Sequence, residues 1–160
     1  MAKICDLAFC DYRKLTSVTI PDSVESIGKE AFMHCSLSSV TIGNGVKIIG
    51  KGAFSYCDNL SSVTIPDSVT SIGNDAFLYC GSLSSVTIGS GVTSVDGSVF
   101  YGYNSRKVYY NGSKEDWAKI DDGIDLRSVT MYFYSATEPT DDGDYWRYVD
   151  GVPTVWTKEN

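Results

Sequence analysis

One sentence of sequence, written four times between Leu15 and Phe100, limits what this chain can fold into. Its first position falls on Leu15, Leu37, Leu60 and Leu83. A strand-like pair follows at Val18/Ile20, Val40/Ile42, Val63/Ile65 and Val86/Ile88, and a second apolar pair at Val24/Ile27, Val46/Ile49, Val69/Ile72 and Val92/Val95. Each copy ends on an aromatic, at Phe32, Phe54, Phe77 and Phe100, spaced 22, 23 and 23 residues apart. Phe9 stands 23 residues before Phe32, so a truncated copy precedes the first full one. A fixed period of this length marks a solenoid or array.

The spacing inside each copy gives the repeat its shape. Val63 and Ile65 alternate with Ser62 and Thr64, the pattern of a half-buried strand. So short a strand does not stand alone, but copies delivered once per repeat can pair in a parallel ladder, roughly 4.8 Å apart. Strands are predicted near 17–20, 39–42, 62–65, 85–88 and 107–110. Pro21-Asp22-Ser23 and Pro66-Asp67-Ser68 turn the chain, with Gly43-Asn44-Gly45 and Gly89-Ser90-Gly91 in the matching places. An ordinary sandwich would not repeat about eight positions four times over.

Units such as LSSVTIPDSVTSIGNDAFLYC resemble the bacterial surface antigen (BspA) type of leucine-rich repeat, over residues 9–110. The resemblance implies a β-rich right-handed solenoid without long helices, in exported or surface proteins of host-associated bacteria. It also implies adhesion or protein binding, with no enzymatic activity in the repeats.

Composition narrows the partners. Residues 1–110 carry 8 basic and 9 acidic side chains, net −1, whereas residues 111–160 carry 5 and 11, net −6. A chain so poor in Lys and Arg is expected neither to bind nucleic acid nor to attach to an anionic membrane. No apolar run is long enough for direct membrane insertion. The opening MAKICDLAFC lacks the apolar region of a signal peptide, which leaves two readings, a cytoplasmic protein or a fragment or mature form of an exported one. Its start inside repeat-like sequence favours a fragment.

Cys35, Cys57 and Cys80 each follow the repeat phenylalanine by three residues and are expected to form a ladder of buried free thiols. Tyr12 and Tyr103 take that place in the terminal copies. Disulfide bridging and metal binding are the alternatives. The odd total of five cysteines weighs against the first, and the lack of closely paired ligands against the second. The phenylalanines are expected to stack inside. His34, the sole histidine, fills a corner slot that holds Tyr56 and Tyr79 in later copies, and no nucleophile–base, cofactor or metal motif accompanies it. No catalytic residue and no cofactor is expected.

The outward strand positions give two rows of hydroxyls. Ser39, Thr41, Ser62, Thr64, Ser85 and Thr87 form the candidate partner-binding face, with Ser17/Thr19 in the same register. Threonine there is also simply a good strand former. The partner expected is a host or bacterial surface protein, extracellular matrix or a glycan; the alternative is a structural spacer presenting another domain.

Two regions follow from this, a solenoid over 1–110 and a small α/β C-terminal cap over 111–160. The cap begins with Asn111-Gly112 and an N-capped short helix after Ser113, whose Trp117 is expected to cover the end of the stack. A loop over 121–128, a strand from Val129 and an aromatic hairpin turning at Asp150-Gly151 complete it. The hairpin resembles the tails that close proteins of this repeat family. Acidic residues 138–144 invite calcium but lack the spacing of a helix–loop–helix calcium site.

Overall fold

In the computed structural model, residues 2–157 are described apart from 103, 121, 122 and 142. Tyr103, the first two residues of the 121–128 loop and residue 142 of the acidic stretch therefore lie outside the described residues. The chain winds as a solenoid with two parallel ladders. The first joins β1 (Ala2–Ile4), β3 (Val24–Ile27), β5 (Ile48–Ile49), β7 (Ser71–Ile72) and β9 (Ser94–Val95) in that order. The second carries β2 (Ser17–Ile20), β4 (Ser39–Ile42), β6 (Ser62–Ile65), β8 (Ser85–Ile88) and β10 (Arg106–Tyr110). Pairing is in repeat register: Val18 meets Val40, and Val63 meets Val86. β1, one rung earlier than the sequence pattern suggested, exists because Ile4 repeats Ile27 at the 23-residue interval.

We number the coils from β2: coil 1 holds β2 and β3, coil 2 β4 and β5, coil 3 β6 and β7, and coil 4 β8 and β9. Between the ladders runs a dry core. Phe9, Phe32, Phe54, Phe77 and Phe100 stack one per coil, with ring centroids 5.2, 5.2, 5.4 and 6.2 Å apart. Cys35, Cys57 and Cys80 are buried, and each thiol donates to the carbonyl of the phenylalanine one coil back, Phe9, Phe32 and Phe54, at 3.0, 3.2 and 3.1 Å. The five described cysteines are all free thiols. The row ends at Arg106, itself buried, whose guanidinium donates to the carbonyls of Leu83, Cys80 and Phe100. Desolvation draws the Arg106 pKa below its ordinary value.

The turns alternate. Coils 1 and 3 turn at Pro21-Asp22 and Pro66-Asp67, coils 2 and 4 at Gly43-Asn44-Gly45 and Gly89-Ser90-Gly91. The Asp22 carboxylate accepts the Asn44 N–H at 2.6 Å, and Asp67 accepts that of Ser90 at 2.7 Å. A side chain at Gly45 or Gly91 would collide with the Asp22 or Asp67 carbonyl, so these two positions require glycine. Coils 1 and 2 thus lock together, as do 3 and 4. Between coils 2 and 3 the order is reversed, and the second ladder is interrupted there. β2 pairs only with β4, and a separate sheet starts at β6. Where Gly89 and Asn111 donate to Ile65 and Ile88, at 2.9 and 2.8 Å, Pro66 has no N–H to offer Ile42. A single uninterrupted ladder, expected from the period, is replaced by two sheets in the same translational register.

After β10 the ladder continues. β11 (Val129–Tyr134) pairs parallel to β10, Val108 opposite Met131 at the 23-residue interval, and β12 (Tyr145–Val149) pairs parallel to β11. β13 (Val152–Val155) closes the edge as an antiparallel hairpin. Between β10 and β11 lies α1 (Lys114–Ile120). Ser113 caps it by accepting the Asp116 N–H at 3.1 Å. Replacing Ser113 by Ala should cost about 1 kcal/mol in thermal or urea unfolding. Trp117 packs edge-on against Tyr110, centroids 5.1 Å apart, and belongs to the core.

Candidate functional site

The alternating strand positions turn the hydroxyls outward, as their period demands. Ser39, Thr41, Ser62 and Thr64 are exposed, together with Ser17 and Thr19. Coil 4 departs from the expected face: Ser85 is half-buried and Thr87 is only 7% exposed. In register with Thr87 on the next rung is Tyr109, which stacks on Tyr132 at 5.3 Å and meets the Trp146 ring edge-on at 5.5 Å. Trp146, fully buried, is fixed there by its indole N–H donating to the Tyr110 carbonyl at 2.9 Å. The aromatic rungs of the C-terminal region therefore follow directly on the hydroxyl rows, and Thr87 does not belong to the accessible face.

The open part of that face centres on the interrupted ladder. Between β4 and β6 lies a groove of about 390 Å³ lined by Ser38, Ser39, Thr41, Asn44, Ser62, Thr64 and Pro66, among others. Four of the six candidate residues, Ser39, Thr41, Ser62 and Thr64, meet in it; Ser85 and Thr87 do not. Its lining is hydroxyls, one amide, β-branched carbons and a proline ring, with no charged group. Such a surface can exchange hydrogen bonds with a polar partner at little side-chain entropy cost.

A second feature was not anticipated as a site. His34, Tyr56 and Tyr79, each two residues after its phenylalanine, sit half-buried in a row along the solenoid. His34 stacks on Tyr56 at 4.5 Å, Tyr56 tilts against Tyr79 at 5.4 Å, and Tyr79 meets Tyr101 edge-on at 5.6 Å. All three hold left-handed backbone, with φ of 59°, 57° and 52°. That conformation is uncommon for bulky side chains. The clue in the sequence is the aromatic content of one corner slot in three consecutive coils.

Elsewhere, in the acidic loop, one carboxylate is engaged within the loop and its flank. Asp141 accepts the Gly143 N–H at 3.2 Å and the Tyr145 hydroxyl at 3.0 Å, and that hydrogen bond raises the Tyr145 pKa. Among the described residues no group of three or more His, Cys, Asp or Glu side chains could hold a metal ion. No helix among them is long and apolar enough to cross a membrane.

Comparison with known proteins agrees with this geometry. The model of the BspA type leucine-rich repeat region matches residues 2–119 in six copies. The chain is similar to a leucine rich cell surface protein from Faecalibacterium prausnitzii A2-165, with 35% identity, a TM-score of 0.68, and coverage of 74% of this chain and 32% of that one. It is also similar to a T. pallidum leucine-rich repeat protein, with 30% identity, a TM-score of 0.61, and coverage of 67% and 51%. The chain thus spans about a third of the first and half of the second. No curated protein matches it. With most of its length matched by one family model, and the repeat geometry in place, the chain belongs to the BspA-type leucine-rich repeat family.

Proposed function

We propose that this chain is a non-catalytic binding module of an exported, cell-surface bacterial protein, contacting a protein partner through the hydroxyl face at coils 2 and 3. The observation that carries the reading is the groove between β4 and β6, where Ser39, Thr41, Ser62 and Thr64 converge on an uncharged surface. The surface setting is supported by the likeness to a cell surface protein of F. prausnitzii. Solenoids characteristically present extended surfaces of this kind. Without charged or aromatic anchors on this face, single contacts are weak, and strength comes from area or from many copies.

The test is to display the protein multivalently against extracellular-matrix proteins and host-cell surfaces. Saturable binding is expected, falling by at least about tenfold in a folded Thr41→Lys/Thr64→Lys variant, because two ammonium groups would have to be desolvated in the contact. Binding that survives both substitutions moves the contact off this face. No binding by the wild type in multivalent form favours a structural spacer that presents another domain.

A further inference from the structure

The corner joining coil 1 to coil 2 is one residue shorter than its neighbours. Two residues separate Tyr12 from Leu15, Cys57 from Leu60 and Cys80 from Leu83, but only Ser36 separates Cys35 from Leu37. In the longer corners the leucine N–H closes a turn on the carbonyl of the cysteine position, at 2.9, 3.1 and 3.1 Å. The missing residue leaves a recess of about 330 Å³ between Arg13 on one side and Asp58 and Asn59 on the other. Its remaining lining is His34, Cys35, Ser36 and Tyr56.

We propose that this recess binds a neutral oligosaccharide by enclosing one sugar ring. The volume is in the range of small-ligand sites. The half-buried His34 and Tyr56 rings line one wall; because they stack on each other and Tyr56 also packs on Tyr79, they offer a sugar apolar ring edges. Around them stand the groups a polyhydroxylated ring needs. Asp58 accepts, Arg13 donates, and Ser36 and Asn59 do both. Arg13 and Asp58 line the recess and Arg13 also pairs with Asp11 at 3.8 Å, so no surplus positive charge is on offer and a neutral ligand fits better than an acidic one. Tyr56 is held against backbone strain, whereas the same slot in the partial first coil holds Asp11, a residue type that tolerates left-handed backbone. The turn itself does not demand an aromatic. The Cys35 thiol on the floor is engaged with the Phe9 carbonyl at 3.0 Å and contributes shape alone.

This site lies apart from the hydroxyl face, and its test is separate. His34 is the only histidine, so its imidazole proton signals report on the recess without assignment. The intact protein is titrated with maltotetraose, cellotetraose, chitotriose and lactose, with sialyllactose as the acidic comparison. At least one neutral sugar is expected to displace the His34 signals saturably, with a Kd of about 1 mM. Asp58→Ala should weaken that binding about tenfold. A glycine inserted after Ser36, which restores the two-residue corner and pushes its backbone into the recess, should abolish it. Continued protection of the Cys57 and Cys80 thiols shows that each variant is folded. Thr41→Lys/Thr64→Lys should leave the titration unchanged. Silence of the His34 signals with every neutral sugar would overturn the proposal. So would preferential binding of sialyllactose, indifference to the insertion, or loss of binding in the ladder-face variant.

Discussion

Replacing Phe54 by Ala should lower the unfolding free energy by about 3–5 kcal/mol, seen as an earlier urea midpoint with an unchanged slope. Phe54 is fully buried and stacked on both faces, by Phe32 at 5.2 Å and Phe77 at 5.4 Å. Its removal opens a cavity that neither flanking coil can fill, since each is fixed by its own ladder bonds. Phe9, 40% exposed and stacked on one side only, provides the internal control. Phe9→Ala should cost less than half as much. Equal effects at the two positions would contradict the difference in burial and stacking between them.

Thiol labelling should divide the five cysteines by at least about 10³ in rate at pH 8. Cys5 is exposed and should react at once, with Cys10 close behind. Cys35, Cys57 and Cys80 should wait for the coils to open. Burial pushes the Cys80 thiol up to about 12, and Cys57 is raised further by the same cause. Protected thiols are thus almost wholly protonated as well as inaccessible. Cys35 lies in the most N-terminal of the three coils and should be released before Cys57. Rapid native labelling of all three, mapped by mass spectrometry, would contradict the buried ladder.

Much of this architecture was legible because the repeat writes each burial decision four times. Val63, Ile65, Phe54 and Cys57 could be placed inside from their periodic neighbours alone, and the five strand positions fell within one residue of where they form. What escaped depends on departures from the repeat. Thr87 has the sequence environment of Thr41 and Thr64, yet it is buried, and its neighbour on the next rung is Tyr109, stacked on Tyr132 and edge-on to Trp146. The interruption between β4 and β6 was present as Pro66 facing the coil of Gly43, but a proline ending one strand costs a bond only when its neighbour in space is known. The recess was present as a spacing of 22 among spacings of 23. A deletion in a corner reads as noise until the corners are stacked. Arg106 gave no sign of burial, because its partners are main-chain carbonyls of Cys80, Leu83 and Phe100, which any sequence supplies.

The alternation of Pro-Asp and Gly-x-Gly turns sets a rule for how such a molecule can change length. Pro21 and Pro66 stand 45 residues apart, the sum of one 22-residue and one 23-residue coil. Each glycine turn is shaped to receive the aspartate turn before it, through Asp22 to Asn44 and Asp67 to Ser90. Inserting one coil would set two turns of the same kind against each other, leaving an aspartate without its amide or a glycine without its neighbour. Inserting two restores every local contact. The solenoid is therefore quantised in doublets, and the seam between doublets, where β4 faces β6, is where recombination could add or remove material with least damage to either side.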